Sequence, residues 1–286
     1  MKKVYNDISD CIYPGTKYTC EMIAVSNHVS LQVIELMPAD DQNRPAVLFI
    51  PGWISLISGW KKVLNEMTKD HRVYYIETRE KISSRIQGKV EYSVEAIGQD
   101  IVTLTSQLGL ADGKYILFGS SLGATSILEC SRFLTVKPLC LVLIGPNACF
   151  RVPKMGMVVI RIFQPPFYVI LKPFIKWYLK TFRLDIENDY AQYEKYCHAL
   201  DAADPWKLKK AALAFSRYTV WDILKTIEYP ILIIGASKDI LHEPVNLHKM
   251  VKMMRNATYL DMETNERTHS EEMVKKMRKY IDALHE

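Results

Sequence analysis

The sequence predicts an α/β protein: a mostly parallel, twisted sheet with helices on both faces and one helical insertion. Three observations predict it. The runs Ala46–Ile50, Tyr115–Phe118, Leu139–Ile144 and Ile231–Ile234 are apolar almost throughout, as strands buried on both faces should be. Segments with helical spacing separate several of them. One long interval, residues 147–230, carries helical patterns and no convincing buried strand. With 286 residues, 49% hydrophobic and 24% charged, the chain can form one large domain with an inserted lobe.

The elements follow in order. Lys17–Ser26 and Val29–Met37 alternate apolar and polar residues around Asn27-His28, which reads as a hairpin. Ala46–Ile50 ends at Pro51-Gly52, and Val73–Ile76 is a second short apolar strand. Val94, Ile97, Ile101, Leu104 and Leu108 recur at steps of three and four, marking an amphipathic helix. Tyr115–Phe118 runs into Gly119, Leu122–Leu134 reads as a helix, and Leu139–Ile144 stops at Gly145-Pro146. After the insertion, Ile231–Ile234 ends at Gly235, and Thr258–Leu260 is the last expected strand. Thr268-His269-Ser270-Glu271 reads as a capping box that opens a final helix to Leu284. The division is therefore a core of residues 1–146 and 231–286 with a helical cap at 147–230.

Several classes are excluded. No uncharged apolar stretch reaches about 18 residues, so no transmembrane helix is expected. Residues 1–11 lack an apolar run, so no signal peptide is expected. The six cysteines show no CxxC and no paired spacing; they read as buried, reduced thiols of a cytoplasmic protein. A net charge of +5 is too mild to argue for nucleic acid. Neither a metal-ligand cluster nor a phosphate loop is present, so no metal or cofactor is expected.

The chemistry is carried by Gly119-Ser120-Ser121-Leu122-Gly123, a G-x-S-x-G. It follows an apolar strand and opens a helix rich in small residues, the strand–turn–helix setting of a nucleophile elbow. Gly119 and Gly123 let strand and helix approach, while the serine hydroxyl projects at the helix N-terminus, where the dipole favours developing negative charge.

With this motif the chain resembles the α/β-hydrolase family over roughly residues 17–146 and 229–285. The family order is nucleophile, acid, histidine. By that resemblance Ser121 is the nucleophile. Asp239, in Gly235-Ala236-Ser237-Lys238-Asp239 after the Ile231–Ile234 strand, is the acid. His269, in Glu266-Arg267-Thr268-His269 after the last strand, is the base. Glu243 is the nearest rival for the acid. Of the other histidines, His28 and His71 precede the elbow and His198 lies in the insertion. His242 and His248 follow Asp239 too closely, and His285 is terminal. The division of labour follows from chemistry. A serine hydroxyl needs a base in reach, a neutral imidazole can take its proton near neutral pH, and a carboxylate orients and steadies the imidazolium.

Acyl transfer also needs donors for the oxyanion. One is the Leu122 backbone N–H. By resemblance the other is the Trp53 backbone N–H, in Pro51-Gly52-Trp53, where the family usually carries His-Gly. Pro51 replaces a side chain that helps hold the loop. A second departure is Glu77-Thr78-Arg79-Glu80-Lys81-Ile82-Ser83-Ser84, where the family often has Asp-x-Arg-Gly-x-Gly-x-Ser. The acid, the arginine and Ser84 survive without the glycines. This loop is either an ion-paired support of the site or a solvated charged loop.

The implied activity is a serine hydrolase acting on carboxylic esters through an acyl-enzyme. The same triad could serve a thioester, amide, lactone or carbon–carbon bond, or acyl transfer, and a non-catalytic ligand-binding role is the rival from another class. A serine in the elbow argues against the aspartate-using subfamilies. Residues 147–230 hold 16 of the 30 aromatics and 13 Lys+Arg against 8 Asp+Glu. This points to a small-molecule substrate with an apolar group, and a cationic lid. Pro173 is read as the first residue of a helix. Phe174, Trp177, Tyr178 and Phe182 lie on one side of it, and Lys176, Lys180 and Arg183 on the other. Two readings stay open. One is a cap helix with its apolar side on the pocket. The other is a surface helix making weak peripheral membrane contact. Oligomeric state is not legible.

Overall fold

The structure, a computed structural model, describes residues 8–40, 43–150, 154–184, 186, 189–239 and 244–284. Glu243, His242 and His285 therefore lie outside the described residues.

A nine-stranded sheet forms the centre. The strands are β1 (Lys17–Ser26), β2 (Val29–Met37), β3 (Ala46–Ile50), β4 (Val73–Glu77), β5 (Arg85–Ile86), β6 (Tyr115–Ser120), β7 (Cys140–Ile144), β8 (Ile231–Gly235) and β9 (Ala257–Asp261). The order is β1-β2-β4-β3-β6-β7-β8-β9, with β5 beside β2. β1, β2 and β4 pair antiparallel, and every pair from β4 to β9 is parallel. The alternating hairpin and the all-apolar runs thus become what their patterns require: a half-exposed edge and a doubly covered centre. The two-residue β5 carries too little pattern to be seen in sequence.

The helices are α1 (Ile8–Cys11), α2 (Lys61–Met67), α3 (Val94–Gln107), α4 (Leu122–Cys130), α5 (Lys154–Ile162), α6 (Tyr168–Phe182), α7 (Tyr190–Ala202), α8 (Pro205–Phe215), α9 (Pro244–Met253), α10 (Asn265–Thr268) and α11 (Glu271–Asp282). Strand side chains alternate between two cores. Leu48, Ile50 and Leu117 pack with α3, α4 and α9 on one face. Val47, Phe49 and Phe118 pack with α1, α2 and α11 on the other. Helices α5–α8 fall between β7 and β8 and contribute no strand to the sheet.

Four local expectations are corrected. α4 stops at Cys130 and continues as a 3-10 turn, Ser131–Phe133. Pro173 lies inside α6 rather than at its start, so its missing N–H costs one intrahelical bond there. The final helix is capped by Ser270, whose Oγ accepts from Met273 N–H, while Thr268 closes α10. All six cysteines are free, but Cys20 on the edge strand β1 is exposed and Cys149 and Cys197 are only half-buried.

A serine turn and its surroundings at the sheet edge

Because β3, β4, β6, β7, β8 and β9 run parallel, the loops after them collect at one sheet edge, where α/β proteins place their sites. Ser121 sits in the turn between β6 and α4 with φ 49° and ψ −113°. A non-glycine residue held there is strained, and such strain persists only where neighbours over-determine it. Here they do. Ser121 N–H donates to the Ile144 carbonyl at 2.8 Å, and its carbonyl accepts from Thr125 N–H at 3.0 Å. A Cβ on Gly123 would lie 2.1 Å from the Ile50 carbonyl oxygen, and one on Gly119 2.7 Å from Ala124 N. Both glycines are therefore required by contact between the turn, β3 and α4.

Asn147, just beyond β7, belongs to no motif legible in the sequence. Its Nδ2 donates to Ser121 Oγ at 2.8 Å, and its own N–H donates to Thr125 Oγ1 at 2.9 Å. The amide fills an acceptor position on the hydroxyl and leaves the hydroxyl proton to point elsewhere.

Asp239 and His269 line one small cavity with Ser120, Gly145, Gly235 and Asn265. His269 Nδ1 is 3.0 Å from the Asn265 carbonyl oxygen and 2.9 Å from Thr268 Oγ1. A carbonyl only accepts, so Nδ1 carries the proton and Nε2 the lone pair. Asn265 Nδ2 donates to Asp239 Oδ2 at 3.1 Å. Asn265 thus bridges acid and histidine, a role no motif announced. The imidazole also stacks on Trp60, with ring centres 4.2 Å apart. Ser121 Oγ is bonded to Asn147 rather than to His269. The structure therefore brings acid and histidine to one cavity, which Ser120 lines and Ser121 does not, and it does not close the serine–histidine bond. Catalytic contacts commonly tighten only when substrate is bound.

The two segments expected to supply backbone donors lie beside the serine. Leu122 opens α4, where an N–H has no intrahelical acceptor. A Cβ on Gly52 would stand 3.4 Å from Ser121 Cβ, so the Pro51–Trp53 loop presses against the elbow. The next residue, Ile54, is β-branched yet has φ 51°, a second strained position.

What holds this loop is Lys81. Its Nζ donates to the Gly52 carbonyl at 3.0 Å and also to the Ser55 carbonyl. Burial lowers the pKa of the amine, against the pull of Glu77 and Glu80, and burial raises that of the Glu77 carboxyl. The charged loop is thus not solvated: Glu77, Thr78, Arg79, Glu80, Lys81 and Ser84 are all buried. Arg79 forms a bidentate pair with Asp100, at 2.7 and 2.6 Å, and donates to the Glu91 carbonyl at 2.7 Å. From α8, Lys207 Nζ donates to the Lys81 carbonyl at 2.6 Å and the Ser84 carbonyl at 2.8 Å. One chain of contacts therefore runs from α8 through residues 77–84 to the loop against Ser121.

Above the loop the surroundings are aromatic. Trp53 meets Phe215 edge-on at 5.5 Å, and Phe215 packs against Phe150 at 5.4 Å. On the far side Lys195 of α7 holds Nζ 5.0 Å over the Trp60 ring. Burial there outweighs the attraction of Asp189 and pushes the amine from 10.5 down to about 7. Between these values the unfolded chain holds a proton that the folded chain lacks, so stability rises with pH across that window. The thermal midpoint of the native chain is expected to climb from about pH 7 to about pH 9 relative to Lys195→Met. Calorimetry giving parallel curves for the two proteins would contradict this. Among the described residues no group of three or more His, Cys, Asp or Glu could hold a metal ion.

No protein-family model matches the sequence, and no relative is found among curated proteins. Solved structures do match. A thermophilic esterase from Thermogutta terrifontis superposes with a TM-score of 0.71 at 19% identity, over 94% of this chain and 100% of that one. The enol-lactonase from Burkholderia xenovorans LB400 gives 0.74 at 17%, over 94% and 100%. An esterase from Exiguobacterium antarcticum gives 0.70 at 17%, over 92% and 100%. At such identities the likeness is one of fold, and it covers 92–94% of this chain: the chain has the α/β-hydrolase fold.

Proposed function

We propose that the chain is a serine hydrolase of carboxylic esters with an apolar acyl or alkyl group. Ser121 attacks the carbonyl and His269 Nε2 takes the hydroxyl proton. Asp239, through Asn265, keeps the imidazole oriented. The N–H groups of Leu122 and Trp53 receive the oxyanion. His269 returns the proton to the leaving alcohol, then activates the water that releases the acyl group. Residues 147–230 act as the cap over this site, and Trp53, Phe150 and Phe215 form the apolar wall for the substrate.

The observation that carries this reading is the seat of Ser121. A strained serine with φ 49° is held at a helix start by two glycine contacts, beside a cavity containing a carboxylate and an imidazole. A plain turn serine has no need of such a position. Ester and lactone hydrolases among the structural neighbours favour these two bond types over the others the same triad could cut.

Labelling with a fluorophosphonate tests the assignment. The native chain is expected to take up one equivalent, and Ser121→Ala none. Normal labelling of Ser121→Ala would refute the role given to Ser121.

A further inference from the structure

Helices α5 and α6 are amphipathic in the opposite sense from a helix of an ordinary globular surface. The polar side of α6 faces the protein: Lys172 and Lys176 both pair with Asp201 of α7, at 2.8 and 2.9 Å. Tyr168 of α6 reaches the Leu200 carbonyl at 2.9 Å. α5 rests on α8, where Lys209 Nζ donates to the Arg161 and Phe163 carbonyls at 3.0 and 2.7 Å. The apolar side faces outward. Ile162 and Val169 are each 73% exposed, Phe174 63%, Trp177 58% and Phe182 58%. Of the two readings left open for this helix, the exposure goes against the one that lays its aromatic side on the pocket. α7 and α8 touch the site, and α5 and α6 form the layer outside them.

So many exposed large apolar side chains on two successive helices mark a contact surface. We propose that α5, the turn after it and α6 form a docking face for a lipid bilayer with anionic headgroups. Three observations select that occupant. No single helix among the described residues is long and apolar enough to cross a membrane. Together, however, Met155–Ile162 and Pro165–Phe182 pass that test by length and composition, bent by 114°. Two apolar helices bent apart and open to solvent suit insertion into an interface rather than passage through it. Second, residues 154–184 contain six Lys and Arg and no Asp or Glu, and Arg161 and Lys180 are exposed. That charge complements anionic headgroups. In a symmetric pair of copies it would bring like charges together. Third, Trp177 and Tyr178 are the amphipathic rings that membrane interfaces favour. The docking itself stands apart from the hydrolase reading, because no part of it uses Ser121.

Vesicle flotation of the full chain tests it, with circular dichroism confirming that each variant folds. Native protein is expected to float with phosphatidylcholine–phosphatidylglycerol vesicles, more weakly with phosphatidylcholine alone, and less as salt rises. Phe174→Ser with Trp177→Ser should weaken binding by about tenfold or more on both. Arg161→Gln with Lys180→Gln should cost about tenfold or more on anionic vesicles only. Absence of flotation with either vesicle would overturn the proposal. So would a concentration-dependent dimer in sedimentation that Phe174→Ser with Trp177→Ser abolishes, since the face would then belong to a second copy.

Discussion

His269→Ala is expected to lower kcat/KM for an apolar acyl ester by about 10³–10⁴-fold, with KM little changed. Geometry sets the size of the effect. A serine hydroxyl at neutral pH is almost wholly protonated, and the attack needs a base that accepts its proton as the bond to carbon forms. His269 Nδ1–H donates a hydrogen bond to the Asn265 carbonyl, which leaves the lone pair on Nε2. Stacking on Trp60 limits the ring to small rotations about that anchor. Alanine removes base and later acid together, so both halves of the cycle suffer. Asp239→Asn should cost nearly as much, because an amide cannot steady the imidazolium. Asn265→Ala keeps the backbone acceptor but severs the link to Asp239, so a loss approaching that of Asp239→Asn is expected. Steady-state kinetics on a chromogenic ester decides among these. A kcat/KM within tenfold of native for His269→Ala would show that another group is the base.

Lys81→Met carries the second largest expected effect, a fall of about 10²–10³-fold in kcat with KM nearly constant. The reasoning starts from strain. Ile54 is held at φ 51°, next to the Trp53 N–H that the proposed reaction needs. Among the described residues Lys81 is the one cation that binds the carbonyls on both sides of this bend, at Gly52 and Ser55. Methionine fits the volume but donates nothing. The loop is then free to relax, and the Trp53 N–H leaves the position where charge develops. Because the oxyanion exists only past the ground state, the loss falls on kcat. Lys207→Met should act in the same direction more mildly, since Lys207 reaches the loop only through the Lys81 and Ser84 carbonyls. A thermal melt controls for folding. Native kcat in a folded Lys81→Met would remove Lys81 from the positioning role.

Much of this molecule is written in local patterns. Runs such as Phe49 and its neighbours have no polar face, so they can only be central strands of a covered sheet. The alternation of Val29–Met37 requires a half-exposed partner of the sheet edge. G-x-S-x-G specifies its own surroundings, because glycine two places either side of Ser121 makes sense only where backbone meets backbone. The nature of residues 77–84 was not legible. Glu77, Arg79, Glu80 and Lys81 look the same in sequence whether they face water or one another.

Period, apolarity and glycine are local properties, so the sheet and the serine turn are legible in them, whereas the candidate acid and histidine came from the resemblance alone. Only the tertiary structure decided three further matters. Lys81, and not a histidine, clamps the loop beside Ser121. Asn147 and Asn265, which no motif includes, hold the serine and the histidine. The aromatic side of α6 faces outward. The reason is common to all three: a side chain's chemistry states what it can bind, and only the packing of remote segments states what is there to be bound.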